Sequence, residues 1–312
     1  MARKKRGRPL NGVFLLNKPQ GQTSNGVLQQ VKRLYGAQKA GHTGILDPMA
    51  SGVLPICLGE ATKFSQYLLD SDKSYRATIR FGQRTNTADA EGDIIEEKDA
   101  TAITAEALKA VLPSLTGEIR QIPPMFSALK RDGQPLYKLA RQGIEVERKA
   151  RDITIYTLAL EHFKVGEFIE ADIAVSCSKG TYIRTLAEDM AAALDNLGHL
   201  TALQRTKSGA FELSECQELS VLEQLRGDDK ESEMDALLLP SDIAVNHFPV
   251  VEVSLETGYY VRRGQPVFIP NSPVNGLVRI KQDDGVFLGV GEIVDDGRVQ
   301  PRRLIADDSQ AS

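Results

Sequence analysis

The residues that could do chemistry concentrate in one short stretch, GHTGILDP at positions 41–48. Asp47 precedes a proline, and the two glycines before it allow the backbone to approach a ligand closely. An Asp-Pro pair also opens ordinary turns, and a loop histidine such as His42 is commonly a hydrogen-bonded structural residue. From these residues alone, Asp47 is either a turn residue or a catalytic carboxylate, and the role of His42 is equally open.

Two familiar chemistries do not fit this stretch. A phosphate-binding P-loop requires Gly-x-x-x-x-Gly-Lys-Ser/Thr, and no Lys-Ser/Thr pair follows these glycines. A zinc deaminase requires His/Cys-x-Glu followed by Cys-x-x-Cys, and the sequence contains no Cys-x-x-Cys. His42 also has no second ligand at helical spacing, so we expect no catalytic metal.

A second group of candidates lies in SCSKGTYIRTLAED at 176–189, where a strand runs into a helix. Arg184 could simply pair with Glu188 one turn later on the helix surface. Alternatively, this junction delivers the Tyr182 ring and the Arg184 guanidinium into a pocket shared with residues 42–47. The spacing leaves both interpretations open.

The elements that must position these candidates are strands alternating with helices. Apolar residues at period two predict strands, and apolar residues three and four apart predict helices. The predicted strands are 12–16, 74–82, 152–163 and 168–178, and the predicted helices are 24–36 with Ser24 as N-cap, 60–72, 104–115 and 185–198. With a hairpin at Val165-Gly166, the pattern indicates an α+β fold with a mixed or antiparallel sheet.

The last quarter of the chain has a different sequence pattern, with short apolar segments between turn signals. From Phe248 onward, short apolar strands separated by Gly, Pro, Asp-Gly and Asn-Gly signals predict a small barrel of about 60 residues. The acidic run at 226–235 is expected to be a linker or surface loop. We therefore expect a basic flexible tail at 1–10, a main domain at 11–246 and a small domain at 247–312.

Charge and composition bear on partners and compartment. The net charge is −4, yet residues 1–90 hold fourteen Lys/Arg against five Asp/Glu, which favours a basic face for a polyanion. The three cysteines are far apart, which argues against disulfides and indicates a reducing cytoplasm. No apolar run is long enough for a membrane span or a signal peptide.

Several segments in order resemble the bacterial TruB family of tRNA pseudouridine synthases. They are NKP at 17–19, GHTGILDPMASGVLPICLGEATK at 41–63, KSYRATIRFGQRTNTADAEGD at 73–93, CSKGTYIRTLAEDM at 177–190 and LQRTKSGAF at 203–211. The C-terminal part is similar to the PUA RNA-binding domain of these enzymes. Two positions depart from the family pattern, because Ile45 replaces a commonly smaller residue and Gln204 a common arginine.

The resemblance implies isomerisation of one uridine to pseudouridine, at position 55 in the TψC stem-loop of tRNA, by a monomeric enzyme without cofactor or metal. Asp47 matches the catalytic aspartate and Arg184 its partner, which we expect to keep the carboxylate ionised. By the same resemblance, His42 fills the space of the flipped base and Tyr75 stacks on the uracil. Tyr182 and Leu203 match residues that line the uracil pocket, and Lys18 and Pro19 match residues that support the catalytic loop.

Two other functions remain open at this stage. Basic clusters and a PUA-like end suit an RNA-binding protein or tRNA-folding chaperone equally well. A guide-dependent synthase working inside a ribonucleoprotein is a further alternative. Asp47 distinguishes the enzyme from the binding protein, because only the enzyme needs its carboxylate.

Overall fold

A computed structural model describes residues 7–306. Within that range the strands are β1 Gly12–Lys18, β2 Ala40–His42, β3 Ser51–Leu58, β4 Lys73–Phe81, β5 Gln83–Thr85, β6 Ile94–Glu97, β7 Gly117–Gln121, β8 Lys130–Arg131, β9 Gln134–Pro135, β10 Arg151–Val165, β11 Ile169–Cys177, β12 Gly198–Ser208, β13 Phe211–Glu212, β14 Gln217–Glu218, β15 Val250–Val253, β16 Val267–Phe268, β17 Gly276–Gln282, β18 Phe287–Ile293 and β19 Arg298–Leu304.

The α-helices of the same range are α1 Ser24–Leu34, α2 Ser65–Leu69, α3 Ala105–Val111, α4 Leu136–Ala140, α5 Ile183–Ala193, α6 Leu219–Gly227, α7 Glu231–Ala236 and α8 Leu255–Arg262. Short 3-10 helices occupy Gly59–Lys63, Leu112–Leu115, Leu213–Glu215 and Ser241–Val245. No helix among the described residues combines the length and the apolar character needed to cross a bilayer.

A ten-stranded mixed sheet forms the larger part of the molecule, in the order β14-β1-β3-β12-β4-β11-β10-β7, with β13 beside β12 and β2 beside β3. The pairs β1–β14 and β3–β12 are parallel, and the other pairs of this sheet are antiparallel. The predicted hairpin is confirmed, because β10 and β11 pair from Ile155↔Cys177 to Val165↔Ile169.

The two halves of this sheet differ in burial, as their sequences dictate. The apolar run of β1 is covered on both faces, so Phe14 and Leu16 enter one core while Val13 and Leu15 enter another. In β4 the alternation instead leaves Arg76 exposed beside the buried Ala77. The loop between β2 and β3, which carries Asp47, therefore leads into a strand that is buried over nearly its whole length.

The N-terminus of α1 differs from the prediction. Thr23, not Ser24, is the N-cap, and its side chain accepts a hydrogen bond from the Gly26 N–H. Ser24 is buried in the first turn and bonds to the backbone of Leu46 in the candidate loop. Both residues suit an N-cap by type, so the sequence alone could not tell which one faces the loop.

The end of α5 also differs. The helix ends at Ala193, not at Gly198, which is the first residue of β12. A side chain at Gly198 would lie 2.9 Å from the Ala191 Cβ. This glycine is therefore explained by the close packing of strand against helix, not by a helix stop.

The acidic run at 226–235 is not the expected linker or loop, since α6 enters it and α7 covers its second half. One carboxylate of this run, Asp235, forms an ion pair with Arg8, whose Nη2 lies 2.5 Å from Asp235 Oδ2. The backbone N–H of Arg8 also donates a hydrogen bond to the Gly36 carbonyl. Residues 1–6 of the predicted tail lie outside the described residues. Arg8, within the predicted tail, is held by the fold.

The C-terminal sheet has five strands in the order β15-β17-β18-β19-β16. Helix α8, which the turn signals did not predict, begins at its N-cap Ser254 and packs inside this unit through Val261. The two sheets share an apolar cluster in which the rings of Phe64 and Phe287 lie 5.2 Å apart.

Candidate active site

The loop from Thr43 to Ala50 carries Asp47, and a buried lysine holds its base. Lys18 lies at the end of β1, and its Nζ donates to the carbonyls of Ala50 at 2.6 Å, Pro19 at 2.9 Å and Pro48 at 3.3 Å. Burial lowers the pKa of Lys18 to about 8, while the Asp47 charge acts in the opposite direction. The ammonium thus joins two carbonyls of the loop to the residue that follows β1.

Two further contacts fix the first half of this loop. Ser24 Oγ accepts from the Leu46 N–H at 2.8 Å and lies 3.0 Å from the Leu46 carbonyl, to which it donates. Gly44 has a φ of +128°, and a Cβ built there would lie 3.4 Å from Arg205 Nη1. A residue with a side chain would be strained at this angle, so glycine lets the loop lie directly over the buried arginine.

Asp47 and Arg184 form the central pair of the site. Arg184 Nε lies 3.0 Å from Asp47 Oδ2, and the side chain of Arg184 is 6% exposed against 33% for Asp47. Arg184 is the second residue of α5, so the strand-to-helix junction does bring its guanidinium to residues 42–47. One side of the carboxylate remains open to an incoming ligand.

The remaining donors of Arg184 bind three other groups. Its Nη1 lies 3.4 Å from Asp89 Oδ2 and donates to the Thr87 carbonyl at 2.9 Å, and its Nη2 donates to the Phe126 carbonyl at 2.7 Å. Asp89 is itself buried and accepts from the Thr87 hydroxyl at 2.6 Å. A single guanidinium therefore joins the Asp47 loop, the loop after β5 and the segment after β7.

Opposing effects act on the pKa of Asp47. Burial raises the pKa of Asp47 above its ordinary value, Arg184 and Lys18 oppose that rise, and Asp89 adds to it. Burial is the largest cause. Arg184 thus reduces a rise in pKa that it does not cancel.

The two tyrosines predicted to belong to the site, Tyr75 and Tyr182, interact electrostatically with Asp47. Tyr75 of β4 is partly buried beside Arg205 of β12, its cross-strand neighbour, and burial raises the pKa of its phenol. Tyr182 is the N-cap residue of α5, and its backbone exchanges hydrogen bonds with the Gln121 side chain. The negative charge of Asp47 contributes to the raised pKa values of both tyrosines, which places both rings within its electrostatic reach.

His42 and Leu203 are both largely removed from solvent. His42 ends β2, its Nδ1 is buried without a hydrogen-bond partner, and burial together with Arg205 lowers its pKa. The imidazole is therefore neutral near pH 7. Leu203 is 8% exposed and belongs to the apolar core that also contains Leu46 and Met49, so its contacts are those of a core residue.

Sequence reasoning missed three residues of this site. Asp89 lies in a segment with several acidic residues, and no spacing distinguishes it from its neighbours. Ser24 was assigned to the helix cap, and Arg205 lies in a strand with several other polar residues, from which no spacing distinguishes it. Among residues 7–306, no group of three or more His, Cys, Asp or Glu side chains could hold a metal ion.

Solved structures share the fold of this chain. A chain from the crystal structure of a Cbf5-Nop10-Gar1 complex superposes with a TM-score of 0.73 at 24% identity, over 99% of this chain and 92% of that one. A chain from an H/ACA RNP bound to a substrate RNA containing 2'-deoxyuridine gives a TM-score of 0.71 at 22% identity, over 98% and 92%.

Family models match consecutive parts of the sequence. Residues 32–183 match the N-terminal domain of the TruB family pseudouridylate synthases, 184–246 match the tRNA pseudouridylate synthase B C-terminal domain, and 249–305 match the C-terminal domain of pseudouridine synthase II TruB. The fold and its matches define an enzyme of the pseudouridine synthase class, an isomerase. The expected α+β fold with a PUA-like C-terminal unit is confirmed.

Close relatives narrow the class to one family. The chain is 52% identical to tRNA pseudouridine synthase B of Saccharophagus degradans, over 97% of this chain and 98% of that protein. It is 52% identical to the protein of the same name in Stutzerimonas stutzeri, over 96% of each. The chain therefore belongs to the TruB family of pseudouridylate synthases.

Proposed function

We propose that this protein converts uridine 55, in the TψC loop of tRNA, to pseudouridine, with Asp47 as the catalytic carboxylate. The relatives named tRNA pseudouridine synthase B, matched over almost their whole length, support tRNA as the substrate. The observation that carries the assignment of Asp47 is its pairing with a nearly buried Arg184 at 3.0 Å while one third of its side chain stays exposed.

The reaction breaks the bond from uracil N1 to the ribose C1′ and forms a bond from C5 to the same carbon. A proton leaves C5 and N1 takes up a proton, so the atoms balance and no oxidant or reductant is needed. Asp47 supplies the carboxylate, which attacks the sugar, attacks the ring or removes a sugar proton. Each of these routes requires the ionised form, which Arg184 and Lys18 favour against burial.

The target base must leave the RNA stack to reach Asp47, at a cost of a few kcal/mol. We assign Tyr75 to stack on the extruded uracil, which returns about 1–3 kcal/mol, and Tyr182 and Leu203 to line its pocket. His42 would then fill the space left in the stack. Its lowered pKa suits this role, because a neutral imidazole enters an apolar stack at a lower desolvation cost than a cation.

RNA binding is proposed to involve both sheets. Residues 11–246 would form the catalytic domain, with Lys18 and Pro19 supporting its loop, and residues 247–312 the PUA-like RNA-binding domain. In the latter, Arg263 lies over the Tyr259 ring at 3.4 Å and Tyr259 is half exposed, a pairing suited to phosphates and bases. Basic side chains at 130–151 would contact phosphates without reading sequence.

The test is pseudouridine mapping on a tRNA transcript incubated with purified wild-type protein and with Asp47→Asn. We expect modification at position 55 by the wild type and none by the variant, with tRNA affinity unchanged within a few fold because the two side chains have nearly equal size. Glu223→Gln, at an exposed position of α6, serves as a carboxylate control.

Each outcome separates the candidate functions. Retained isomerisation by Asp47→Asn would remove Asp47 from the chemistry. Tight binding without any isomerisation by the wild type would favour the tRNA chaperone. Activity on a bare TψC stem-loop, without added RNA or protein, excludes the guide-dependent synthase.

A further inference from the structure

Ile45 stands out in the catalytic loop by its exposure. From Ala40 to Leu58 every other residue is buried or partly buried, while Ile45 is 57% exposed. It lies three residues after His42 and two before Asp47. The one large apolar side chain that this stretch exposes to solvent is thus on the same loop as Asp47, two positions before it.

Hydrogen bonds fix the backbone on both sides of Ile45. The Thr43 N–H donates to the Pro55 carbonyl at 3.2 Å, and both polar backbone groups of Leu46 bond to Ser24. Gly44 lies against the Arg205 guanidinium, which is 1% exposed. The loop therefore does not need to become ordered when RNA binds.

The side chain itself adds to this preorganisation. Isoleucine is β-branched, so its first side-chain torsion has few choices and little conformational entropy is lost on contact. Apolar side chains of this kind, isoleucine among them, insert between base steps in proteins that kink nucleic acids. A stiff apolar group on a rigid loop has the properties that such an insertion needs.

We propose that Ile45 is an apolar wedge that packs against a base neighbouring the extruded uridine and keeps the RNA stack open. This inference rests on the proposed function, because it assumes that the target base is extruded toward Asp47. Ile45 is a positioning residue for RNA and takes no part in bond breaking. His42 fills the vacated space, whereas Ile45 supports the edge of the opening.

The experiment compares wild type, Ile45→Ala, Ile45→Leu and Ile95→Ala in single-turnover reactions on a TψC stem-loop. Ile95 is the matched control, because it is 55% exposed and lies on β6, outside the ten-stranded sheet. We expect Ile45→Ala to slow pseudouridine formation about 5- to 20-fold, Ile45→Leu to stay within about 3-fold, and Ile95→Ala to match the wild type.

A second measurement isolates unstacking from chemistry. A fluorescent base analogue beside the target reports stack opening when Asp47→Asn binds without turnover. Adding Ile45→Ala should reduce that signal at least twofold at saturating protein. Equal rates for Ile45→Ala and wild type would overturn the wedge, as would slower rates with an unchanged fluorescence signal. Failure of the wild type to modify the stem-loop would overturn the proposed function instead.

Discussion

The loop that carries Asp47 and the segment at 122–150 are held in opposite ways. The loop is fixed by side chains that are themselves buried, Lys18, Ser24 and Arg205. The segment contains β8, β9 and α4, and most of its residues are exposed. Its ties to the rest of the site include the Phe126 carbonyl bonded to Arg184.

Under the proposed function, the rigid loop would position the catalytic carboxylate and the exposed segment would bind RNA. A carboxylate must stand at one position relative to the bond it acts on, and a misplacement of about 1 Å can cost about 100-fold in rate. A segment that follows an RNA backbone gains from being able to adapt, because local opening costs little free energy there. Arg184 contacts both regions, so it is the residue at which they influence each other.

Among the variants that test this comparison, the largest effect is expected from removing Arg184. Arg184→Met leaves Asp47 and the buried Asp89 without their common cation, which should cost about 3–5 kcal/mol in the free energy of unfolding. Activity should fall at least about 100-fold. Denaturant unfolding and single-turnover assays measure the two losses, and full activity in a stable variant would contradict the central role of the pair.

The pH profile of Arg184→Lys tests whether Arg184 lowers the pKa of Asp47. Activity needs the ionised carboxylate, so the acid limb of the rate profile follows the pKa of Asp47. Lysine offers fewer and differently placed donors, so it opposes burial and Asp89 less well than arginine. The acid limb should therefore move to higher pH; an unchanged or lower limb would show that Arg184 does not act on this pKa.

Lys18→Met tests the hydrogen bonds that hold the Asp47 loop. It leaves the carbonyls of Pro19, Pro48 and Ala50 without their shared donor, at about 2–4 kcal/mol of stability for buried acceptors. We expect kcat to fall by about 10-fold or more while tRNA affinity changes little, because the carboxylate moves and the RNA surface does not. A change confined to affinity would refute this assignment.

Adjacent residues at the start of α1 allow a finer test. Thr23→Ala removes a helix cap, and Ser24→Ala removes the two bonds to Leu46, so each should cost about 1–2 kcal/mol of stability. Only Ser24→Ala should also lower kcat, about 3- to 10-fold. Equal kcat values for the two variants would mean that the helix, not the loop contact, is what matters.

The smallest effect is expected in the segment at 122–150. Arg131 is exposed, so Arg131→Ala should change the free energy of unfolding by less than about 0.5 kcal/mol. If it contacts a phosphate, KM should rise a few fold and the salt dependence of tRNA binding should weaken by about one counterion. A large loss of stability would show that this segment is not the adaptable one.

What the sequence predicted correctly follows local rules. The apolar run of β1, the alternation of β4 and the hairpin at Val165 are periodic patterns that tertiary contacts reinforced. Errors occurred where two local rules competed. Thr23 and Ser24 are equally good caps, and Gly198 satisfied a helix-stop rule although its absence of a side chain serves packing against Ala191.

The candidate site was predictable only in part, for a different reason. Resemblance named Asp47 and Arg184, but neither spacing nor composition shows that one guanidinium would reach from α5 to Asp89 and the Phe126 carbonyl. Those partners are 95 and 58 residues away along the chain, since positions 89 and 126 precede 184 by those distances. Contacts over such separations are decided by sheet order, which no local pattern encodes.

The apolar cluster shared by the two sheets has a consequence for affinity. Phe64 and Tyr67 of the catalytic part pack against Phe287 and Phe248, so the C-terminal sheet is fixed to the catalytic sheet by a common core. Under the proposed function, the surfaces at Asp47 and at Tyr259 would engage one tRNA together: once one is occupied, the other faces its target at a high effective concentration. A tRNA whose two contact points are spaced differently would lose this gain.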